Sequence, residues 1–355
     1  MLRRIALCGL LTFGQAASAQ SPPVLPSPVA PSEPVIGHTT VYPPGVVDVT
    51  PEITGPPAAP IVPAGDACYP FVVSAEYLLL RPYRRNLDYG LVDARNDFIP
   101  QGVPADLEWQ TDSGFRLGFS WRPRGGATDL SFTYTYAYSR DDATAAAPPG
   151  GLIYPTLMRP GTIDAASTAE AFSSVTFHVF DVDFGRRVQF EDLNARFWVG
   201  SRSASISQVI GASYDGFDAR QSSSRQRLQM DAGGLTLGGE SRWRLGRNWS
   251  AYGRARGSIL VADYCLQVNE SNFAGNVPVT DFHDTFTKVV PVVDLGAGLT
   301  WSRRNFHLSV GYEISHWFNQ VETLTFLDDF AEGRTARTVS DLSLEAVTFR
   351  FGFDF

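Results

Sequence analysis

From about residue 70 to its end the chain keeps returning to a two-residue rhythm, and that rhythm limits what it can fold into. Phe306, Leu308, Val310, Tyr312 and Ile314 alternate with His307, Ser309, Gly311, Glu313 and Ser315. Leu130, Phe132, Tyr134, Tyr136 and Tyr138 alternate with Asp129, Ser131, Thr133, Thr135 and Ala137, and Phe115, Leu117, Phe119 and Trp121 alternate with Arg116, Gly118 and Ser120. Successive side chains of a strand point to opposite faces, so each stretch carries one apolar face and one small or charged face. Ten strands are expected, at about 70–81, 106–122, 127–139, 172–187, 193–209, 226–245, 249–267, 287–302, 305–318 and 342–355. Many exceed the usual strand of about 5–6 residues and reach the ~9–11 that cross a bilayer obliquely. After Cys68 no apolar run approaches the ~18 residues of a transmembrane helix.

The connections alternate short and long. Arg124-Gly125-Gly126, Phe190 to Asp192, Gly246-Arg247-Asn248 and Arg303-Arg304 are tight. Residues 82–105, 140–171, 210–225, 268–286 and 319–341 are long and polar, and are expected to be loops. Short turns at one end and long loops at the other are the pattern of outer-membrane barrels, and an even strand number leaves both chain ends on the periplasmic side. The apolar outer face of ten strands would aggregate in water. In lipid every backbone group needs an internal partner, which closure supplies. The expected fold is therefore all-β, a transmembrane antiparallel up-and-down barrel of about ten strands. Trp121, Trp243, Trp249, Trp301 and Trp317 suit interfacial girdles, whereas Trp198 falls with the inward set. Two strands change phase: Leu228 and Met230 against Leu235 and Leu237, and Leu342 and Leu344 against Val347 onward. An extra residue flips the faces, which places β-bulges near Gly233-Gly234 and Glu345.

Ahead of the barrel, residues 1–19 read as a secretory signal, with Arg3 and Arg4, an apolar run from Ile5 to Phe13, and Ala17-Ser18-Ala19 for cleavage. Residues 20–65 hold 13 of the 24 prolines, too many for a packed core. They are expected to form a disordered periplasmic linker, or a strap that touches the cell wall or enters the barrel mouth. The barrel would occupy residues 66–355. A net charge of −8 argues against a nucleic-acid partner. The two cysteines left after export, Cys68 and Cys265, fall at opposite ends of the expected barrel, so no disulfide is expected.

By phase, the inward-facing charges are Glu76, Arg116, Asp129, Asp181, Asp183, Arg196, Arg202, Glu240, Arg242, Arg244, Arg254, Arg256, Asp294, Glu313, Arg350 and Asp354. Isolated charges in a dry interior are costly, so these face water, pair with one another, or both. Two readings stay open: a narrow water-filled pore lined by them, or a fixed ion-pair network that plugs it. No nucleophile arrangement, Cys/His metal spacing or cofactor motif is visible. Asp281, His283 and Asp284 form one Asp/His cluster in a predicted outside loop, with His316 near an outer strand end and His178 in mid-strand. Rim catalysis or divalent-cation binding by that cluster is the lesser alternative.

The second strand, Asp112-Ser113-Gly114-Phe115-Arg116-Leu117-Gly118-Phe119, resembles one in the pore-forming Legionella-type major outer-membrane protein family. So do Phe180-Asp181-Val182-Asp183-Phe184-Gly185 and Ala195-Arg196-Phe197-Trp198-Val199-Gly200, and the close from Phe349 to Phe355 is similar to the family's last strand. The resemblance covers roughly residues 70–355 and implies an outer-membrane pore for ions or small solutes, with no catalytic residues and no cofactor. Phe349, Phe351, Phe353 and Phe355 resemble the aromatic signature by which barrels are recognised for insertion, which implies the insertion machinery and outer-membrane lipid as partners.

Overall fold

The computed structural model describes residues 70–97, 99–123, 126–330 and 333–355. The signal, the proline-rich segment and Cys68 lie outside the described residues. No described helix is long and apolar enough to cross a membrane.

Ten antiparallel strands form a closed barrel: β1 (Phe71–Arg84), β4 (Asp112–Trp121), β5 (Thr128–Ala146), β7 (Thr168–Gln189), β8 (Leu193–Gly216), β9 (Ala219–Arg244), β10 (Trp249–Asn272), β11 (Val277–Arg303), β12 (Phe306–Phe326) and β13 (Thr335–Asp354). Each pairs with its sequence neighbours in the barrel wall, and β1 closes on β13. The seal at the periplasmic end is reciprocal: Phe71 N donates to Phe355 O at 3.0 Å and Phe355 N to Phe71 O at 2.9 Å. Three short strands, β2 (Asp88–Asp93), β3 (Val103–Asp106) and β6 (Leu152–Pro155), form a separate sheet in the order β3-β2-β6.

Three of the expected outside loops, residues 210–225, 268–286 and 319–341, are mostly strand. β8 runs to Gly216 and β9 starts at Ala219, and β10 runs to Asn272 with β11 starting at Val277. Residues 140–171 and 319–341 likewise give up their ends to β5, β7, β12 and β13, and residues 82–105 contain β2 and part of β3. The wall therefore rises well beyond the length a bilayer needs.

That height also overturns the two bulges. β9 pairs with β10 and β8 without a register shift near Gly233-Gly234, and β13 pairs with β1 and β12 without one at Glu345. From Ser222 to Arg242 the even-numbered residues of β9 face inward. Leu235 and Leu237 are 72% and 68% exposed on the outer face, whereas Leu228 and Met230 are buried inside. Lipid surrounds the lower wall, so apolar groups belong outside and polar ones inside. Water surrounds the upper wall, and the preference inverts with no change in backbone phase. β13 does the same, with Phe351 and Phe353 outward and Leu342 and Leu344 inward.

In the upper half the inward side chains form one hydrophobic cluster with the small sheet. Leu78, Leu80, Phe177, Ile206, Met230, Leu260, Trp317 and Leu342 join Tyr89, Ile153 and Met158. Tyr214 ties the two parts together by donating from its hydroxyl to Tyr89 O at 2.5 Å. Trp317 is completely buried in this layer and is not a girdle residue. The exposed Trp121, Trp243 and Trp249, with the half-buried Trp301, all sit at the periplasmic end of the wall.

One seam interrupts the wall. β11 and β12 pair from Arg303 and Phe306 up to Val292 and Trp317 and no further. Above that level β11 stays on β10 and β12 stays on β13, after a register shift between Trp317 and Val321. Ser302 N donates to Asn248 O, so the even residues of β11 turn their amides to β10 and the odd ones to β12. Pro291 falls in the odd set and has no N–H to offer. Asn319, at φ 53°, turns β12 away opposite it. Side chains bridge the gap: Lys288 Nζ lies 2.9 Å from Glu322, Arg337 donates to Glu322 at 2.9 Å, and Arg337 also pairs with Asp284. Lys288 is the chain's single lysine and sits 4.7 Å above the Tyr264 ring. Lys288→Ala should speed amide exchange in residues 277–291 about tenfold relative to the rest of the wall, measured by hydrogen–deuterium exchange. Unchanged exchange there would show that the edge needs no latch.

Candidate functional site

The lower lumen is built by alternation alone. Polar side chains on the inward set of ten tilted strands converge on one axis, and a ten-stranded barrel is narrow enough for them to meet. Fifteen of the sixteen sequence-identified charges face inward; fourteen form arginine–carboxylate pairs and Asp354 is paired with His307. Arg244 is exposed at the periplasmic rim, where its amide donates to Asp192 O.

The pairs form connected groups. Arg116 forks onto Glu313 with two bonds of 2.9 Å, reaches Glu76 at 2.9 Å, and donates from Nε to Thr135 at 2.9 Å. Arg254 also pairs with Glu313, and Arg350 with Glu76. Higher up, Arg202 joins Asp181 at 2.7 Å and Asp294 at 2.8 Å, while Arg256 joins Asp181 at 2.5 Å and Asp183 at 2.6 Å. Nearer the periplasm Asp129 holds Arg187 at 3.0 Å and Arg196 at 2.5 Å, and Arg242 holds Glu240 at 2.6 Å. His307 lies 3.1 Å from Asp354. Charge-assisted bonds of this kind need planar forks and fixed carboxylates, which explains why the inward cations are arginines.

Trp198 lies between two of these cations, with Arg196 at 5.0 Å and Arg256 at 5.4 Å from its ring. The facing position is Gly238, where a Cβ would stand 2.5 Å from Trp198 Cζ2. Gly311 similarly makes room for the Tyr252 hydroxyl, 2.1 Å from where its Cβ would be.

At the top of the charged layer the lumen turns apolar within one level. Arg202 gives way to Ile206, Glu76 to Leu78, Asp181 to Phe177, and Glu313 to Trp317. A cavity of about 80 Å³ remains at that boundary, and a larger one of about 320 Å³ lies below it and reaches the periplasmic rim. The sequence reading missed three residues of the larger cavity: Arg122, Arg187 and His307. Arg187 shares parity with Asp181 and Asp183, and Arg122 with Arg116, so counting on by twos, four residues past Asp183 and six past Arg116, finds them.

The Asp/His cluster does not assemble. Asp281 and His283 are exposed on the outer face of β11, and Asp284 turns inward to Arg337. His178 also faces outward and shares a 2.9 Å hydrogen bond with Tyr134, while His316 contacts Ser343 at 2.6 Å. Among the described residues no group of three or more His, Cys, Asp or Glu could hold a metal ion.

Glu270 lies nine residues above the top of the lipid-facing belt, which ends at Val261 on β10. It is buried beneath residue Arg159, whose amide donates to it at 3.3 Å, with Thr280 Oγ1 donating at 3.0 Å. Burial raises its carboxyl above the ordinary value of 4.5. The folded state thus favours the protonated form. That stabilisation is full below the ordinary carboxylate range and lost as pH climbs through the raised value. Between about pH 4 and about pH 8, the thermal midpoint of the natural protein should fall relative to Glu270→Gln. Parallel curves would rule out a titrating Glu270.

Residues 62–355 match the family described as Legionella pneumophila major outer membrane protein precursor. No curated protein aligns significantly with the chain. Among solved structures, the outer membrane protease OmpT from Escherichia coli is 12% identical, covering 83% of this chain and 98% of that one at a TM-score of 0.43. Ail, the attachment invasion locus protein of Yersinia pestis, is 10% identical, covering 80% and 97% at 0.24. A FadL homologue of Pseudomonas aeruginosa is 8% identical, covering 80% and 90% at 0.22. With most of its length matched, the chain belongs to the Legionella major outer membrane protein family and is an outer-membrane β-barrel.

Proposed function

We propose that this barrel is a passive pore for ions or small polar solutes, held shut in the conformation described. The observation that carries this reading is the cavity of about 320 Å³ in the lipid-level layer, lined by ionised side chains and ending beneath an apolar constriction. A barrel built only as a peg would gain by filling that layer with hydrophobic side chains, because buried ion pairs are often no more stable than well-packed apolar replacements. A charged vestibule under a dry constriction is the arrangement of a channel gated by dewetting.

A second reading has its own support. Fifteen paired charges and an apolar layer above them also describe a permanent plug, in which case the barrel is structural or adhesive. Planar-bilayer recording of the full chain separates the two. Small or infrequent steps from the natural protein, enlarged when the constriction is trimmed, support the pore. Silence from both, with inserted and folded protein, assigns the structural role. The proposal includes no catalysis. Outer-membrane lipid, the insertion machinery reading Phe349, Phe351, Phe353 and Phe355, and cell wall contacted by residues 20–65 are its proposed partners.

A further inference from the structure

The larger cavity has an unequal supply of hydrogen-bond donors and acceptors. Its lining includes Arg116, Arg122, Arg187, Arg196, Arg242, Arg254, Arg256 and Arg350 against the carboxylates of Glu76, Asp183, Glu240 and Asp354. Asp129 and Glu313, behind the lining, offset part of that excess. What matters is which atoms remain unengaged. Arg187 and Arg242 hold their carboxylates through Nε, and among the described residues no hydrogen bond uses their Nη atoms. Arg350 also engages Glu76 through Nε alone. Arg122 has no carboxylate partner among the described residues, and its buried Nε has no acceptor. Trp198 Nε1 is a further buried donor without one. On the acceptor side, both oxygens of Glu76 are taken, and Asp183 Oδ1 is the one buried carboxylate oxygen left over.

Arg187 and Arg242 lie two residues before the ends of β7 and β9, Arg122 directly follows β4 at the same side of the wall, and all three line this cavity. We propose that they form an anion site, which takes a phosphate-sized oxyanion entering from the periplasm. Each guanidinium presents two parallel N–H groups that match two oxygens of such a ligand. The volume of about 320 Å³ accepts a phosphate with several waters. The carboxylates already held by Nε bonds keep the forks aimed inward, so the ligand meets donors that are oriented before it arrives. Binding at this site does not depend on whether the barrel conducts.

The experiment is isothermal titration of the full-length, detergent-folded protein with inorganic phosphate at low chloride. Saturable binding is expected, at least tenfold weaker in Arg122→Gln, whose removal breaks no ion pair. Arg122→Lys keeps the charge but loses the fork, and should fall between the two. It also serves if Arg122→Gln does not fold. Absence of saturable heat with the natural protein overturns the site, as does affinity in both variants equal to that of the natural protein. Bilayer current without phosphate binding would sink the site and leave the pore. Phosphate binding by a barrel that never conducts would do the reverse.

Discussion

Glu313→Ala should destabilise the barrel by about 3–5 kcal/mol. Glu313 accepts both forks of Arg116 and a third bond from Arg254, at a level of the lumen where its side chain is 10% exposed. Removing it leaves two guanidiniums facing each other in a confined space, with Glu76 the one carboxylate still bonded to Arg116. The cost comes from the stranded cations more than from the lost bonds. Glu313→Gln keeps the shape and accepts some of the same donors, so it should lie between alanine and the natural protein. Urea unfolding in detergent, followed by tryptophan fluorescence, measures both. A loss below about 1 kcal/mol for the alanine variant would mean that water replaces the carboxylate freely, and that the charged layer is already wet.

The second large effect belongs to Trp317. It is fully buried, meets Phe177 edge to face at 5.5 Å, carries Arg202 5.9 Å above its ring, and donates from Nε1 to Ser315 at 3.0 Å. It also marks the last rung between β11 and β12. Trp317→Ala should cost about 3–5 kcal/mol through the cavity it leaves. The new space lies between the charged layer and the apolar one, so the same change should raise single-channel conductance if the constriction is a gate. Trp317→Phe retains most of the bulk and should preserve closure. Stability lost without any current would locate Trp317 in the packing only, and would weigh against the pore.

Much of this was legible in the sequence. Ten strands, their order and their inward charges follow from a period of two, because lipid on one side and polar neighbours on the other force strict alternation. The family resemblance rested on those same strands and holds over residues 62–355. The upper wall was harder to read. Within the stretch expected to be a loop, the outward positions of β8 are Gly211, Ser213 and Asp215, and β9 carries Ser222-Ser223-Ser224 before Arg225. Such composition signals a loop when the inward partners are small, as Ala212 is. β3 and β6, at four residues each and both with proline, are too short for any period to register. The partnering of the lumen charges was out of reach, since Arg116 and Glu313 lie 197 positions apart and meet only through closure.

The inversion of faces along β9 and β13 has a consequence for how this chain can change. Each long strand answers to two masters, and both count parity. A single inserted or deleted residue within a strand turns everything on one side of it inside out. In the lower wall that buries leucines in the lumen and shows arginines to lipid, and in the upper wall it shows the core to water. Two residues gained or lost together restore the alternation. Length variation within these strands should therefore come in even steps, while the hairpin ends, where no partner fixes the phase, are free to take odd ones.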